Sequence, residues 1–208
     1  MAHGPGGAAK QHTLSESPCR EAAIGSDHGV RRPVGPQQGA TFVMVRTPSI
    51  STFLWFERNA EAAVEFYTTL FPNSRITKVA RWGDGGPAPK GSVMTVAFEL
   101  AGHTLTAING GPHYKLTPAV SLVVSCVTQD EIDHYWDALL ADGGKPSMCG
   151  WLEDRFGLSW QVIPSVIGDL LTDADPAKAA SVGRALMAMQ KLDLATLQRA
   201  HRDGPATV

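Results

Sequence analysis

The chain has little cysteine, no surplus of positive charge and no long apolar run, and each shortage removes a class of protein. Cys19, Cys126 and Cys149 are the three cysteines in 208 residues. Odd in number and far apart, they read as reduced thiols rather than a disulfide framework. Eighteen Lys and Arg against 20 Asp and Glu leave a formal charge of −2, with no basic block. The electrostatic footprint that nucleic acid needs is therefore missing. No stretch approaches the ~20 apolar residues of a membrane span. The compact apolar segment of a secretory signal is lacking too, and Glu16, Glu21 and Asp27 count against a transit peptide. The expectation is a cytoplasmic globular protein with neither nucleic-acid nor membrane partners.

Residues 1–47 are poor in periodic apolar side chains and rich in glycine (Gly4, Gly6, Gly7, Gly25, Gly29, Gly35, Gly39). Such a segment cannot bury enough surface to order itself, so a disordered tail is expected there. Met44 would make a natural start just ahead of the patterned region. His3, His12 and His28 fall in this tail, which takes three of the seven histidines out of any metal argument.

From residue 50 the pattern becomes regular. Residues 50–56 are β-branched and aromatic, as in a strand. Asn59 is a candidate N-cap for a helix whose stripe is Ala63, Phe66, Tyr67 and Leu70. Strands follow over 74–82, 93–100 and 104–108, separated by the glycine-rich loop 83–87 and the turn at Gly102-His103. This β-α-β-β-β order then recurs. Residues 121–126 form a strand, and Thr128 with Glu131 makes a capping box before Ile132, Tyr135, Trp136, Leu139 and Leu140. Short strands near 145–148 and 149–154, a turn at Arg155-Phe156-Gly157, and a strand over 158–163 complete the second unit. The aromatic pairs Phe66-Tyr67 and Tyr135-Trp136 lie 69 residues apart, and the same offset lays Thr52 on Ser121. Beyond Pro164 the composition turns helical, with Pro176 at a helix start and Asp193 capping a last helix.

Several segments carry a family resemblance. They are Leu54-Trp55-Phe56, Ala60-Glu61-Ala62-Ala63-Val64-Glu65-Phe66-Tyr67, Phe71-Pro72-Asn73-Ser74, Asn109-Gly110-Gly111-Pro112, Tyr135-Trp136-Asp137-Ala138-Leu139, and the run from Cys149 to Gly157 with Ser159-Trp160-Gln161. The chain resembles the PhnB-like branch of the vicinal oxygen chelate (glyoxalase/bleomycin-resistance) superfamily, a branch often labelled 3-demethylubiquinone-9 3-methyltransferase. The resemblance implies an α+β fold in which two βαβββ modules form a cup-shaped mixed sheet. The expected organisation is a tail over 1–47, a PhnB-like domain over 48–164 with modules at about 48–111 and 119–164, and a helical extension over 165–208. It also implies a homodimer, to which Val182, Ala185, Leu186 and Met189 offer a contact stripe.

The superfamily's metal enzymes place His or Glu at four inward positions, on the first and last strand of each module. The 69-residue repeat puts these at Thr52 and Ser121, and a 55-residue offset between Gly102 and Gly157 pairs Thr106 with Gln161. None offers an imidazole or carboxylate, so no metal and no cofactor is expected. Alternation sets Thr104 and Ser159 on the faces of Thr106 and Gln161, with Leu105, Trp160 and Val162 opposite. The expected ligand is a small organic molecule held by Thr52, Thr106, Asn109, Ser121 and Gln161, with Trp82 or Trp151 as a wall and Trp55 in the core. Two alternatives stand beside this reading. One is the methyltransferase of the family label, against which the chain lacks a glycine-rich loop between strand and helix. The other is a non-enzymatic regulatory or structural dimer. Cys149 reads as structural, Glu153 and Asp154 as pointing to opposite faces, and His113 as the one histidine near a cleft rim.

Overall fold

Two-residue alternation in strands and 3.6-residue spacing in helices decide which side chains the chain buries. The computed structural model describes residues 49–204. The tail expected over residues 1–47, with Cys19, His3, His12 and His28, lies outside the described residues. The chain order is β1 (Thr52–Phe56), α1 (Ala60–Leu70), β2 (Arg75–Arg81), β3 (Val93–Leu100) and β4 (His103–Asn109). It repeats as β5 (Ser121–Cys126), α2 (Gln129–Leu140), β6 (Lys145–Pro146), β7 (Trp151–Glu153) and β8 (Ser159–Pro164). The strands form two four-stranded sheets, ordered β1-β4-β3-β2 and β5-β8-β7-β6. In each sheet the opening strand runs parallel to the closing one and the other pairs are antiparallel. The expected α+β pair of βαβββ modules is the architecture.

The repeat is not quite regular. Phe53 stands beside Thr106 and Val123 beside Gln161, so the opening strands correspond at 70 residues. The helices correspond at 69, matching buried Ala63 with Ile132 and Tyr67 with Trp136. The difference lies in the loops: three residues join β1 to α1, and two join β5 to α2. A slip of one residue moves a strand side chain to the other face. Thr52 is therefore not the counterpart of Ser121. It lies on the side of buried Leu54 and Phe56, whereas Ser121 lies with Val123 and Ser125 on the open side.

The helix-covered faces of both sheets share one core, which includes Leu54, Phe98 and Leu105 from the first module and Leu152, Trp160 and Val162 from the second. Phe71 stacks on both Tyr135 and Trp160, at centroid distances of 4.9 and 5.3 Å. Asp154, only 2% exposed, is the polar centre of this junction. Its Oδ2 accepts from Tyr67 Oη at 2.6 Å and Trp160 Nε1 at 2.8 Å. Its Oδ1 accepts the N–H groups of Phe156 and Leu158 at 2.8 and 3.0 Å. Four donors satisfy a carboxylate that would otherwise be costly to bury. Burial still pushes its carboxyl above the ordinary value, against the pull of those donors.

The helix starts follow the expected chemistry with one exception. Thr128 and Glu131 complete a capping box, Pro176 occupies the first turn of α4 (Pro176–Met187), and Asp193 caps α5 (Leu194–Asp203). Asn59 makes no side-chain cap. Asn109, at the end of β4, does that work instead: its Oδ1 accepts the Ala60 N–H at 2.9 Å. A short α3 (Ile167–Leu171) precedes α4. The stripe expected to offer a subunit contact is used within the chain. Val182 is fully buried, and Ala185, Leu186 and Met189 pack with Ile167, Leu192 and Leu197 in a small core of the extension. This extension is fastened to the second module through N–H bonds from Cys149 to Met189 O and Gly150 to Gln190 O, and through Lys191 to Asp133 and Asp137. Gly150 has φ +81, and an added Cβ would lie 2.7 Å from Val162 O.

Candidate functional site

Alternation leaves one face of each sheet without helices. On the first sheet this face carries Phe53, Trp55, Thr106 and Ile108, which pair across β1 and β4. On the second it carries Val123, Gln161, Trp151, Glu153 and Ser159. Leu105, Trp160 and Val162 point into the core, as alternation requires. The polar face with Thr106 and Gln161 is thus where the sequence puts it, but Thr52 is on the other side. Its Oγ1 lies 3.0 Å from His103 Nε2 at the sheet end. Gln161 donates to Ser121 Oγ at 2.9 Å, so these two residues meet.

A hollow of about 620 Å³ lies at the C-terminal ends of β1 and β4. Val93, Ile108 and Trp55 supply apolar surface, and Trp82 with Pro87, Ala88 and Pro89 forms a flap. The flap is closed at its base by N–H bonds from Trp82 to Ser92 O and from Gly91 to Trp82 O. Glu57, Arg58, Glu61 and His113 give the polar lining. Two of the expected ligand residues, Trp82 and Asn109, line this cavity. Asn109 has little capacity left for a ligand, because Nδ2 donates to Glu61 and to Val93 O while Oδ1 caps α1. A smaller hollow of about 370 Å³ adjoins it across Trp55 and Glu57.

The remaining expected residues are dispersed. Trp151 lines a separate hollow with Met148, Cys149 and Glu153, and Ser121 lines one at the module junction with Phe71 and Tyr135. Thr52, Thr106 and Gln161 line neither the Trp55–Trp82 cavity nor its neighbour. Trp55 is the residue that sequence reasoning misplaced in the core. It is half-buried, and its parity is opposite to buried Leu54 and Phe56, a signal already present in the alternation of β1.

The residues do not fit a divalent transition metal at the superfamily's position. The open-face candidates are Phe53, Thr106, Val123 and Gln161. They supply a hydroxyl and an amide, and the amide is already bonded to Ser121. Among the described residues no three His, Cys, Asp or Glu side chains converge as metal ligands. Among the described residues the strand-to-helix loops form no glycine-rich cradle for S-adenosylmethionine: β1 leads to α1 through Glu57-Arg58-Asn59, β5 to α2 through Val127-Thr128 and β8 to α3 through Ser165-Val166.

Paired βαβββ modules, each with its opening strand parallel to its closing strand, define the vicinal oxygen chelate fold. Within that fold, the model of the 3-demethylubiquinone-9 3-methyltransferase family matches residues 48–163. The chain belongs to this PhnB-like family. It is similar to the PhnB protein from Bacillus cereus, with 37% identity and a TM-score of 0.52 over 56% of this chain and 99% of that one. A protein from Pseudomonas aeruginosa shows 22% identity and a TM-score of 0.47 over 57% and 98%. The fosfomycin resistance protein FosX from Listeria monocytogenes shows 12% and 0.39 over 57% and 93%. Among curated proteins none matches the chain. No helix among the described residues is long and apolar enough to cross a membrane.

Proposed function

We propose that the protein binds a small organic molecule with a flat ring in the cavity bounded by Trp55 and Trp82, without a divalent metal. The observation that carries this reading is the pairing of two indoles and an apolar floor in one hollow of about 620 Å³. Ligand sites are typically concave, largely apolar and finished with a few polar groups. Glu57, Arg58 and His113 supply those groups here. The site differs from the polar cleft that Gln161 and Thr106 suggest, and lies at the C-terminal ends of β1 and β4 on the first sheet. The natural assembly in this reading is a homodimer, because the open faces expose Phe53 and Val123 at 60% and 54%.

A thermal-shift and tryptophan-fluorescence titration with 2-naphthol and 2-methyl-1,4-naphthoquinone tests the site. The expected result is saturable quenching, weakened about twofold to tenfold by Trp82→Ala, since an aromatic pair contributes about 0.5–1.5 kcal/mol. Binding that Trp82→Ala leaves unchanged rejects the site. Elemental analysis that finds one tightly held zinc, iron, nickel or manganese per chain rejects the metal-free part.

The family description favours a second reading, methyl transfer to a quinone precursor. Its test is direct: S-adenosylmethionine raises the melting temperature under this reading and leaves it unmoved under the first.

A further inference from the structure

Two cavities meet at one indole. The larger hollow of about 620 Å³ and the smaller one of about 370 Å³ share Trp55 and Glu57 as their common wall. Glu57 is exposed and ion-paired with Arg58, its neighbour in sequence. Trp55 is the fixed part of the partition. Its Nε1 donates to Gly111 O at 2.9 Å, and Tyr114 meets its ring edge-on with centroids 5.0 Å apart. Gly110 lies so close beneath the ring that an added Cβ would stand 2.3 Å from two of its carbons. An indole held by a hydrogen bond, an edge contact and a backbone floor cannot turn aside cheaply. Beyond it, Leu116 and Phe156 give the smaller cavity an apolar lining, with Lys115 and Lys145 also present.

From this we infer that Trp55 sets the length of ligand the site accepts: a ring system ends at the indole, and a chain directed at the smaller cavity is refused. The inference rests on the larger cavity being the ligand site. Displacing the indole joins the two chambers, and an alkyl chain attached to the ring then reaches Leu116 and Phe156. Selection by a rigid wall works through steric exclusion, so its removal widens the range of ligands rather than merely weakening all of them.

The test compares 6-methoxy-2-naphthol with 6-hexyloxy-2-naphthol by fluorescence titration of wild type, Trp55→Ala and Gly110→Ala. Gly110→Ala keeps every side chain of the wall and pushes the indole out of place, so it remains informative if Trp55→Ala fails to fold. In wild type the longer chain gives no gain in affinity. In each folded variant it gains about tenfold over the shorter one, the scale expected when about two of its five additional methylenes are buried. An unchanged ratio in either folded variant overturns the inference while leaving the cavity as a binding site. If wild type binds neither naphthol, both the cavity reading and the role of Trp55 fall together.

Discussion

At the residue scale the most consequential side chain is Asp154, which accepts four hydrogen bonds while 2% exposed. Two of its donors, Tyr67 and Trp160, belong to different modules, so one carboxylate ties the halves together. In Asp154→Asn one oxygen becomes an N–H donor facing other donors. That change should cost about 3 kcal/mol in urea unfolding, because buried groups left unsatisfied lose their full solvation, more so around a charge. Tyr67→Phe removes one donor only and should cost less than half as much. A loss below about 0.5 kcal/mol for Asp154→Asn in that experiment would mean the junction is held by packing alone. The sequence told that Glu153 and Asp154 face opposite ways, but not that Asp154 is a hub, since its partners come from α1, β8 and the β7–β8 turn. Cys126 makes a second residue-scale case. It is buried, and burial pushes its thiol up to about 11. Iodoacetamide at pH 8 should leave Cys126 unmodified in native protein and label it after denaturation, as read by peptide mass spectrometry.

At the scale of elements, much was legible and one short loop was not. Helix spacing, the Thr128–Glu131 box, the Asp193 cap and the strand alternation all came through, because each is a local rule acting on neighbouring residues. The face of Thr52 did not, because it depends on one extra residue between β1 and α1 that helix-to-helix matching hides. Asn59 failed for a similar reason: a cap can come from a distant strand, and Asn109 supplies it. Asn109→Ala should therefore destabilise the protein by about 1–2 kcal/mol, the range for a lost cap, while Asn59→Ala changes stability little. Equal effects of the two in thermal unfolding would count against this assignment. The helical extension gives a pH prediction. Hydrogen bonds hold three carboxyls below their ordinary range: Asp133 by Gln129 and Lys191, Asp173 by the Asp175 N–H and His201, and Asp193 by Thr196. A depressed folded pKa contributes stability that is present above the unfolded pKa and lost as pH falls through the folded one. Amide exchange in α5 should accordingly speed up on acidification below the ordinary carboxylate range, ahead of exchange in β3 and β4. Uniform loosening of all elements over that window would contradict it.

At the scale of the molecule, the buried core unites the helix-covered faces of both sheets and leaves the other two faces without helices. Phe53 and Val123 occupy matching places on those faces, beside Thr106 and Gln161, and each exposes more than half its surface. The α4 stripe, which the sequence offered as a contact, is already spent on the extension's own core. A proposed homodimer must therefore use the sheets rather than α4. Two copies of the same pair of faces suit an isologous contact, the commonest form of soluble pairing. Light scattering should give twice the 22.1 kDa chain mass. Placing a carboxylate at both positions, with Phe53→Asp and Val123→Asp combined, should shift the mass to that of one chain, because a charge closed into a contact without a partner is strongly disfavoured. Met187→Asp, on the exposed side of α4, should leave the dimer intact. A wild-type mass of one chain at micromolar concentration rejects the dimer. A dimer that survives the double change and dissociates with Met187→Asp moves the contact from the sheets to the extension.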